Sequence, residues 1–246
     1  MASVTVCGIV LRYANYKDYD RILTLFTRER GVVSASARGC RRPGSKLLGA
    51  SELFIYGEFV LFESRGKYTV DSCDVRERFY PLRENIDKFT AATYFLSLAG
   101  SASAKEQKAT ALFTLLYYAL SFLAYGEQAP LDIALCFTAR CLHALGYSPA
   151  LTHCVRCGQD LRGLPRMGFD PAAGGAVCGA CLCQGDLPVT PLSLEAVRRM
   201  LLLRDEDMNK VVLPQQVRQE LQRALGDYAE YVLERKFAAL RQIGEP

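Results

Sequence analysis

Apolar and polar positions change their rhythm near residue 80. Before that point apolar side chains come in short β-branched or alternating runs, the pattern of half-buried strands. Residues 3–12 predict a first strand with Gly8 as a bulge, and 13–20 a polar loop carrying tyrosines. Residues 22–27 and 32–37 predict a hairpin turning through Arg28-Glu29-Arg30-Gly31. A loop over 38–46 follows, broken by Gly39, Pro43 and Gly44, and then a short helical turn within 47–53. Residues 54–63, with rings at Phe54, Tyr56, Phe59 and Phe62, and 68–75 predict two more strands joined by Ser64-Arg65-Gly66-Lys67. Five strands with an insert after the third fit the small Greek-key barrel called the OB-fold, a pattern that a generic small barrel shares.

Beyond residue 80 apolar residues recur three and four apart, which predicts helices over 85–99, 106–125 and 131–145, ended by Gly100, Gly126 and Gly146. Leu112, Leu115, Leu116, Leu120 and Leu123 give the second helix a broad apolar surface, central to a bundle. A fourth helix is expected over 191–203, with Ser193 as N-cap and Glu195 in its first turn. After a loop over 205–212, one last helix is expected over 213–243, with Val217, Leu221, Leu225, Tyr228 and Val232 on one face and Gly226 interrupting it. The class is therefore α+β. An N-terminal five-stranded barrel occupies 1–80 and an α-helical domain 81–246, with an insertion at about 150–190 between its third and fourth helices.

That insertion carries the most specific chemistry. Cys154-Val-Arg-Cys157 and Cys178-Gly-Ala-Cys181 are two C-x-x-C pairs separated by residues 158–177. Each pair lets a tight turn aim two sulfurs at one point, and two pairs supply the four soft ligands of a closed tetrahedral site, here one structural Zn²⁺. Phe169, Asp170-Pro171 and Gly174-Gly175 predict a hairpin that returns the chain to the second pair. Cys183 in place of Cys181, or His153 in place of Cys154, are alternative ligands. Four thiolates leave no open position for substrate, so this metal is not expected to be catalytic. Cys136 and Cys141 fall within a predicted helix and read as core residues, and His143 as a buried or capping histidine.

Charge then separates the two parts. Residues 1–80 hold 13 Lys+Arg against 9 Asp+Glu, whereas 81–246 hold 17 of each. Around the cysteines, Arg156, Arg162 and Arg166 only offset Asp160, Asp170 and Asp186. An anionic partner is thus expected at the barrel. Arg38, Arg41, Arg42 and Lys46 are the first candidates for contacting nucleic acid, because a Gly/Pro loop holds them off the strands; Arg12, Arg28 and Lys67 come second. Tyr13, Tyr16 and Tyr19 are candidate base-stacking residues. Asp18 and Asp20 read as a solvated or locally hydrogen-bonding pair.

No P-loop, Rossmann fingerprint or H-E-x-x-H occurs, and neither histidine has a motif that pairs it with a nucleophile, so no enzyme is expected and no catalytic residue is assigned. No uncharged apolar run is long enough to span a bilayer, and the N-terminus lacks the basic and apolar regions of a signal peptide. Ten cysteines, four at metal spacing, fit a reducing cytoplasm.

Several stretches resemble the RecO family of bacterial recombination mediators. They are Gly-Ile-Val-Leu (8–11), Asp18-Tyr-Asp20-Arg-Ile, Leu-Phe-Thr (25–27), Arg-Gly (30–31), the loop Ala-Arg-Gly-Cys-Arg-Arg-Pro-Gly-Ser-Lys (37–46) and the four-cysteine insertion among helices. Cys40 stands where a small alanine is usual, and Asp18 where glutamate is. The resemblance implies a non-enzymatic protein that binds single- and double-stranded DNA and anneals complementary strands. It also implies that the protein works with RecR and single-stranded-DNA-binding protein to load RecA, in the cytoplasm at the nucleoid. A zinc-ribbon adaptor whose barrel contacts protein, and a metalloenzyme with an open coordination site, are the other classes considered.

Overall fold

The alternating N-terminal runs close into a barrel. A computed structural model describes residues 2–102 and 109–244, so the predicted helix start at 106–108 lies outside the described residues. Strands β1 (Ala2–Tyr16), β2 (Asp20–Thr27), β3 (Gly31–Ala37), β4 (Tyr56–Ser64) and β5 (Lys67–Glu77) pair in the order β1-β2-β3-β5-β4 and back to β1. The β3–β5 pairing is parallel, at Ala35 opposite Tyr68, and the others are antiparallel. This is the OB-fold connectivity, with a short 3-10 turn at Gly49–Ser51 after the third strand as the sequence predicts. Val6, Val10, Leu23, Leu25, Val33, Ile55, Phe59, Leu61 and Val70 fill the interior, each nearly inaccessible.

The strands run further than their apolar alternation. Tyr13 through Tyr16 continue β1 by pairing with Leu23 through Asp20, so the expected tyrosine loop shrinks to Lys17-Asp18-Tyr19. The bulge lies at Leu11, where the register slips between Val10 and Arg12, and not at Gly8. Gly8 stays in register with Thr27 and Gly57, and a Cβ there would lie 3.3 Å from the Phe59 ring. Phe54 precedes β4 rather than belonging to it, with φ +66° and the Arg83 guanidinium 5.4 Å from its ring centroid.

Two units divide the chain: Met1–Arg83 with Ala99–Thr114, and Glu84–Leu98 with Leu115–Pro246. In the first, helical residues 99–102 and 110–114 pack on the barrel's outside. Phe113 meets Phe26 at 5.7 Å between ring centroids, and Leu11 packs against Gly100. Ile9 and Leu11 are therefore buried although they point away from the barrel core, which is why β1 does not alternate cleanly.

The helices are α1 (Ile86–Ala102), α2 (Thr110–Tyr125), α3 (Pro130–Ala144), α4 (Pro191–Leu202), α5 (Gln215–Val232) and α6 (Ala238–Gln242). Helix α3 is buried along nearly its whole length, Cys136 and Cys141 included, and burial pushes both thiols up to about 12. His143 is exposed rather than buried, and its Nδ1 lies 2.6 Å from Ser148 Oγ just past the end of α3. The N-cap of α4 is Thr190, whose side chain accepts from the Ser193 N–H, because Pro191 takes the first helical position. Glu220 accepts from Thr190 N (2.8 Å) and Ser193 Oγ (2.6 Å), tying this cap to α5.

The single last helix is in fact two. Glu230 accepts the Phe237 N–H at 2.9 Å and Lys236 Nζ at 2.9 Å, and the chain reverses through Glu234 at φ +50°. Gly226 sits inside α5 without breaking it; its missing side chain leaves room for Leu240 of α6, 3.2 Å from where a Cβ would stand. Among the described residues no helix is long and apolar enough to cross a membrane.

Asp132 of α3, 1% exposed, holds Arg218 of α5 through two bonds of 2.7 Å and also accepts the Leu213 N–H. Removing one partner of such a buried pair strands the other. Asp132→Ala should lower unfolding stability by about 3 kcal/mol in urea titration. A decrease well under about 1 kcal/mol would show that this pair does not hold α3 to α5.

Candidate metal centre and nucleic-acid interface

The first cysteine pair is shaped by its own backbone. Gly158 N donates to Cys154 O at 2.8 Å, and Gly158 has φ +77°, so the chain doubles back directly after Cys157. Cys181 N donates to Cys178 O at 3.0 Å and closes the second pair in the same way. The predicted hairpin is β6 (Met167–Asp170) with β7 (Gly175–Cys178), and a third strand, β8 (Leu187–Val189), joins β6 on its other edge. Its tip is set by Asp170, whose Oδ1 accepts the Ala172 and Ala173 N–H groups. Gly175 leaves no room for a side chain, since a Cβ would stand 2.6 Å from Ala150 O. Phe169 anchors the hairpin on Tyr228 of α5, with ring centroids 5.7 Å apart.

These turns bring Cys154, Cys157, Cys178 and Cys181 together, with all four sulfurs within 4.8 Å of one another. Tetrahedral coordination at about 2.3 Å places sulfurs about 3.8 Å apart. Cys157 Sγ and Cys178 Sγ are 3.7 Å apart, so the cage has the right size for one metal ion. Cys154 and Cys178 are buried, whereas Cys157 and Cys181 form the rim. Neither Cys183 nor His153 belongs to the group: Cys183 points at Cys181 O, and His153 bonds Thr152.

Burial works against ionising Cys154, but N–H donation from Cys178, Cys157 and Arg156 outweighs it and lowers this thiol to about 6. Contacts with the Cys157 and Cys178 sulfurs push Cys181 up to about 12. Cys154 and Cys181 thus differ in how readily they ionise, and a bound cation would favour the thiolate form of both.

Most charge around the cage is paired internally. Arg156 Nη2 reaches Asp170 and Asp186 at 2.7 Å each, and its Nη1 reaches the Cys181 carbonyl. Arg162 pairs with Asp160. Arg156 thus ties the first cysteine turn to the hairpin and to the loop after the second, and among the described residues only Arg166 of the three arginines here is exposed without an ion pair.

The barrel differs. Arg38, Arg41, Arg42 and Lys46 are all exposed, and among the described residues none forms an ion pair. Their loop is nevertheless fixed. Cys40 is fully buried in the barrel core, Gly39 N donates to Asp20 Oδ1 at 2.7 Å, and Arg41 N donates to Tyr19 O at 3.0 Å. Asp20, read from sequence as a locally bonding residue, is the link between the β1–β2 turn and the basic loop. Gly39 at φ +62° and Gly44 at φ +77° permit the turns between.

The secondary candidates scatter. Arg12 lies on β1 with Nε on Thr24 Oγ1, and Lys67 opens β5. Arg28 pairs with Glu29 beyond the opposite end of β2 from the loop, roughly 23 Å away along the strand at about 3.3 Å per residue. Lys17 is a cation that motif reading did not single out; it is exposed on the β1–β2 turn, 5.4 Å from the Tyr16 ring centroid. Arg21, counted with the bases, is buried and spent on Ser51, Glu52 and the Tyr13 ring.

Comparison with known proteins matches the chain along nearly its whole length. Residues 1–79 match the family model for Recombination protein O N terminal, and residues 83–241 that for Recombination protein O C terminal. The chain is 31% identical over 235 residues to a DNA repair protein RecO of Acetivibrio thermocellus, covering 95% of this chain and 93% of that one. It is 34% identical over 232 residues to a DNA repair protein RecO of Symbiobacterium thermophilum, covering 93% and 91%. A third relative, a DNA repair protein RecO of Moorella thermoacetica, is 30% identical over 240 residues, covering 97% and 89%.

Cys157→Ser should remove the bound metal in elemental analysis and loosen the hairpin, raising amide exchange across β6 and β7 by at least about tenfold. Retained metal with unchanged exchange would exclude Cys157 as a ligand.

Proposed function

The chain belongs to the RecO family of DNA repair proteins, and from that membership we propose that it is a non-enzymatic DNA-binding mediator of recombination. It binds single- and double-stranded DNA and anneals complementary strands. With RecR it helps load RecA onto DNA coated by single-strand-binding protein, in the cytoplasm at the nucleoid. The division of labour follows residues 1–80, which carry the DNA surface, and 81–246, which carry the helices and the metal segment.

One observation carries this reading: Arg38, Arg41, Arg42 and Lys46 stand exposed and free of carboxylates on a loop held by other contacts. Cations in that state neutralise phosphates and release counterions from the backbone. Phosphate contact is indifferent to strandedness, which suits a protein that must engage both forms and screen two strands while they pair. Arg12 and Lys67 are secondary contacts on the strands, away from the loop. Arg28 contributes least, since Glu29 already occupies it.

The resident metal is zinc, one ion held by Cys154, Cys157, Cys178 and Cys181, in a structural role. The donor set supports this, since four thiolates select a soft, tetrahedral ion and complete its sphere. It braces the first and second cysteine turns, with Arg156 alongside.

The variant Arg41→Glu/Arg42→Glu should weaken binding of both single- and double-stranded DNA. It should also reduce the slope of log K against log salt by about 0.7–0.9 for each phosphate that is no longer neutralised. Unchanged affinity and slope would place the DNA surface elsewhere. Absence of any DNA binding by the wild type at low salt would favour a protein-binding adaptor.

A further inference from the structure

The β1–β2 turn carries two aromatic rings that phosphate neutralisation does not use. Tyr16 is 48% and Tyr19 47% exposed, among the more exposed large side chains of the barrel. Each has a cation over its ring: Lys17 Nζ is 5.4 Å from the Tyr16 centroid, and the Arg42 guanidinium carbon 5.4 Å from the Tyr19 centroid. The turn's backbone is also tied to the basic loop, because Tyr19 O accepts the Arg41 N–H and the neighbouring Asp20 carboxylate accepts the Gly39 N–H, while Tyr16 pairs with Asp20 across the strands. Rings and cations therefore stand side by side on one locked pair of loops, as a base stands beside its phosphate on a nucleic-acid strand.

Resting on the DNA-binding reading above, we infer that Tyr16 and Tyr19 are the residues that make this surface distinguish single strands from duplex. A ring can stack on a nucleobase only where the base face is free, and in duplex DNA both faces are already stacked on neighbouring base pairs. The cations act on either form, since both present phosphates. Stacking on an aromatic side chain tolerates any base, so the discrimination is by strandedness and not by sequence. The cation over each ring holds it in place before DNA arrives, which reduces the ordering cost of binding. Tyr13 is not part of this device. Its ring is covered by Arg21 at 3.9 Å, and Arg21 is locked by Ser51 and Glu52.

The test compares wild type, Tyr16→Ala/Tyr19→Ala and Tyr16→Phe/Tyr19→Phe on oligo(dT) and on a duplex of equal length, by fluorescence anisotropy at matched salt. The alanine pair should bind oligo(dT) about tenfold more weakly and duplex within about twofold of wild type, with the salt slope unchanged. The phenylalanine pair should bind both as wild type does. The chain has no Trp and 13 Tyr, so its intrinsic emission is tyrosine emission, and part of its quenching by oligo(dT) should vanish in the alanine pair. Equally weakened binding of both substrates, or unchanged binding of both, would overturn the inference while leaving the basic loop's role intact. A wild type that binds neither DNA would overturn the underlying reading as well.

Discussion

Cations left unpaired on a surface repel one another, so a loop that collects them needs something other than their charge to hold its shape. Here that holding is done by neutral and acidic groups beneath. The Cys40 side chain is sunk in the barrel, the Asp20 carboxylate receives the Gly39 N–H, and the Tyr19 carbonyl receives the Arg41 N–H. Arg38 and Arg41 are left without a carboxylate partner among the described residues, and the Arg42 guanidinium meets only the Tyr19 ring. Several arginines elsewhere are consumed internally: Arg21 on Ser51 and Glu52, Arg140 on Asp205, Arg156 on two aspartates, Arg218 on Asp132. What sets this loop apart is that four cations without a carboxylate partner fall within nine residues, 38–46.

The metal segment solves a different problem. A three-stranded sheet of very short strands is inserted between α3 and α4, with Leu161, Met167, Phe169, Val177 and Val189 buried. Four cysteines that converge within 4.8 Å, the Arg156 bridges and the Phe169–Tyr228 contact add to this small core. These groups bond one another, and the segment lies within the helical unit.

Much of this was legible in the sequence, for identifiable reasons. Cysteine spacing foretells the convergence of the four sulfurs almost by itself, because two residues between sulfurs admit few geometries. The strand count and the insert after β3 pointed to the barrel, and the Gly/Pro-rich basic run to the loop. What stayed hidden were contacts between residues far apart in sequence. Tyr13 through Tyr16 read as loop because their pairing is dictated by β2 and not by their own pattern. The bulge lies at Leu11 because it is set by the pairing with β2, where Val10 meets Leu25 and Arg12 meets Thr24. The break after α5 depends on Glu230 capping Phe237, seven residues on, while Gly226, the expected breaker, serves a close approach of α6. Arg28 carried the same weight as the other bases in a charge count, which does not register that Glu29 sits beside it.

If placement of the basic loop governs DNA affinity, Asp20 reveals it by sign. Asp20→Asn and Asp20→Ala remove the same negative charge, but only asparagine keeps an acceptor for the Gly39 N–H. If charge alone mattered, both would bind single-stranded DNA equally and more tightly than wild type. The locked loop predicts that Asp20→Asn binds at least as tightly as wild type, while Asp20→Ala binds about fivefold more weakly than Asp20→Asn at the same salt. Equal affinities of the two variants in a salt-matched titration would contradict it.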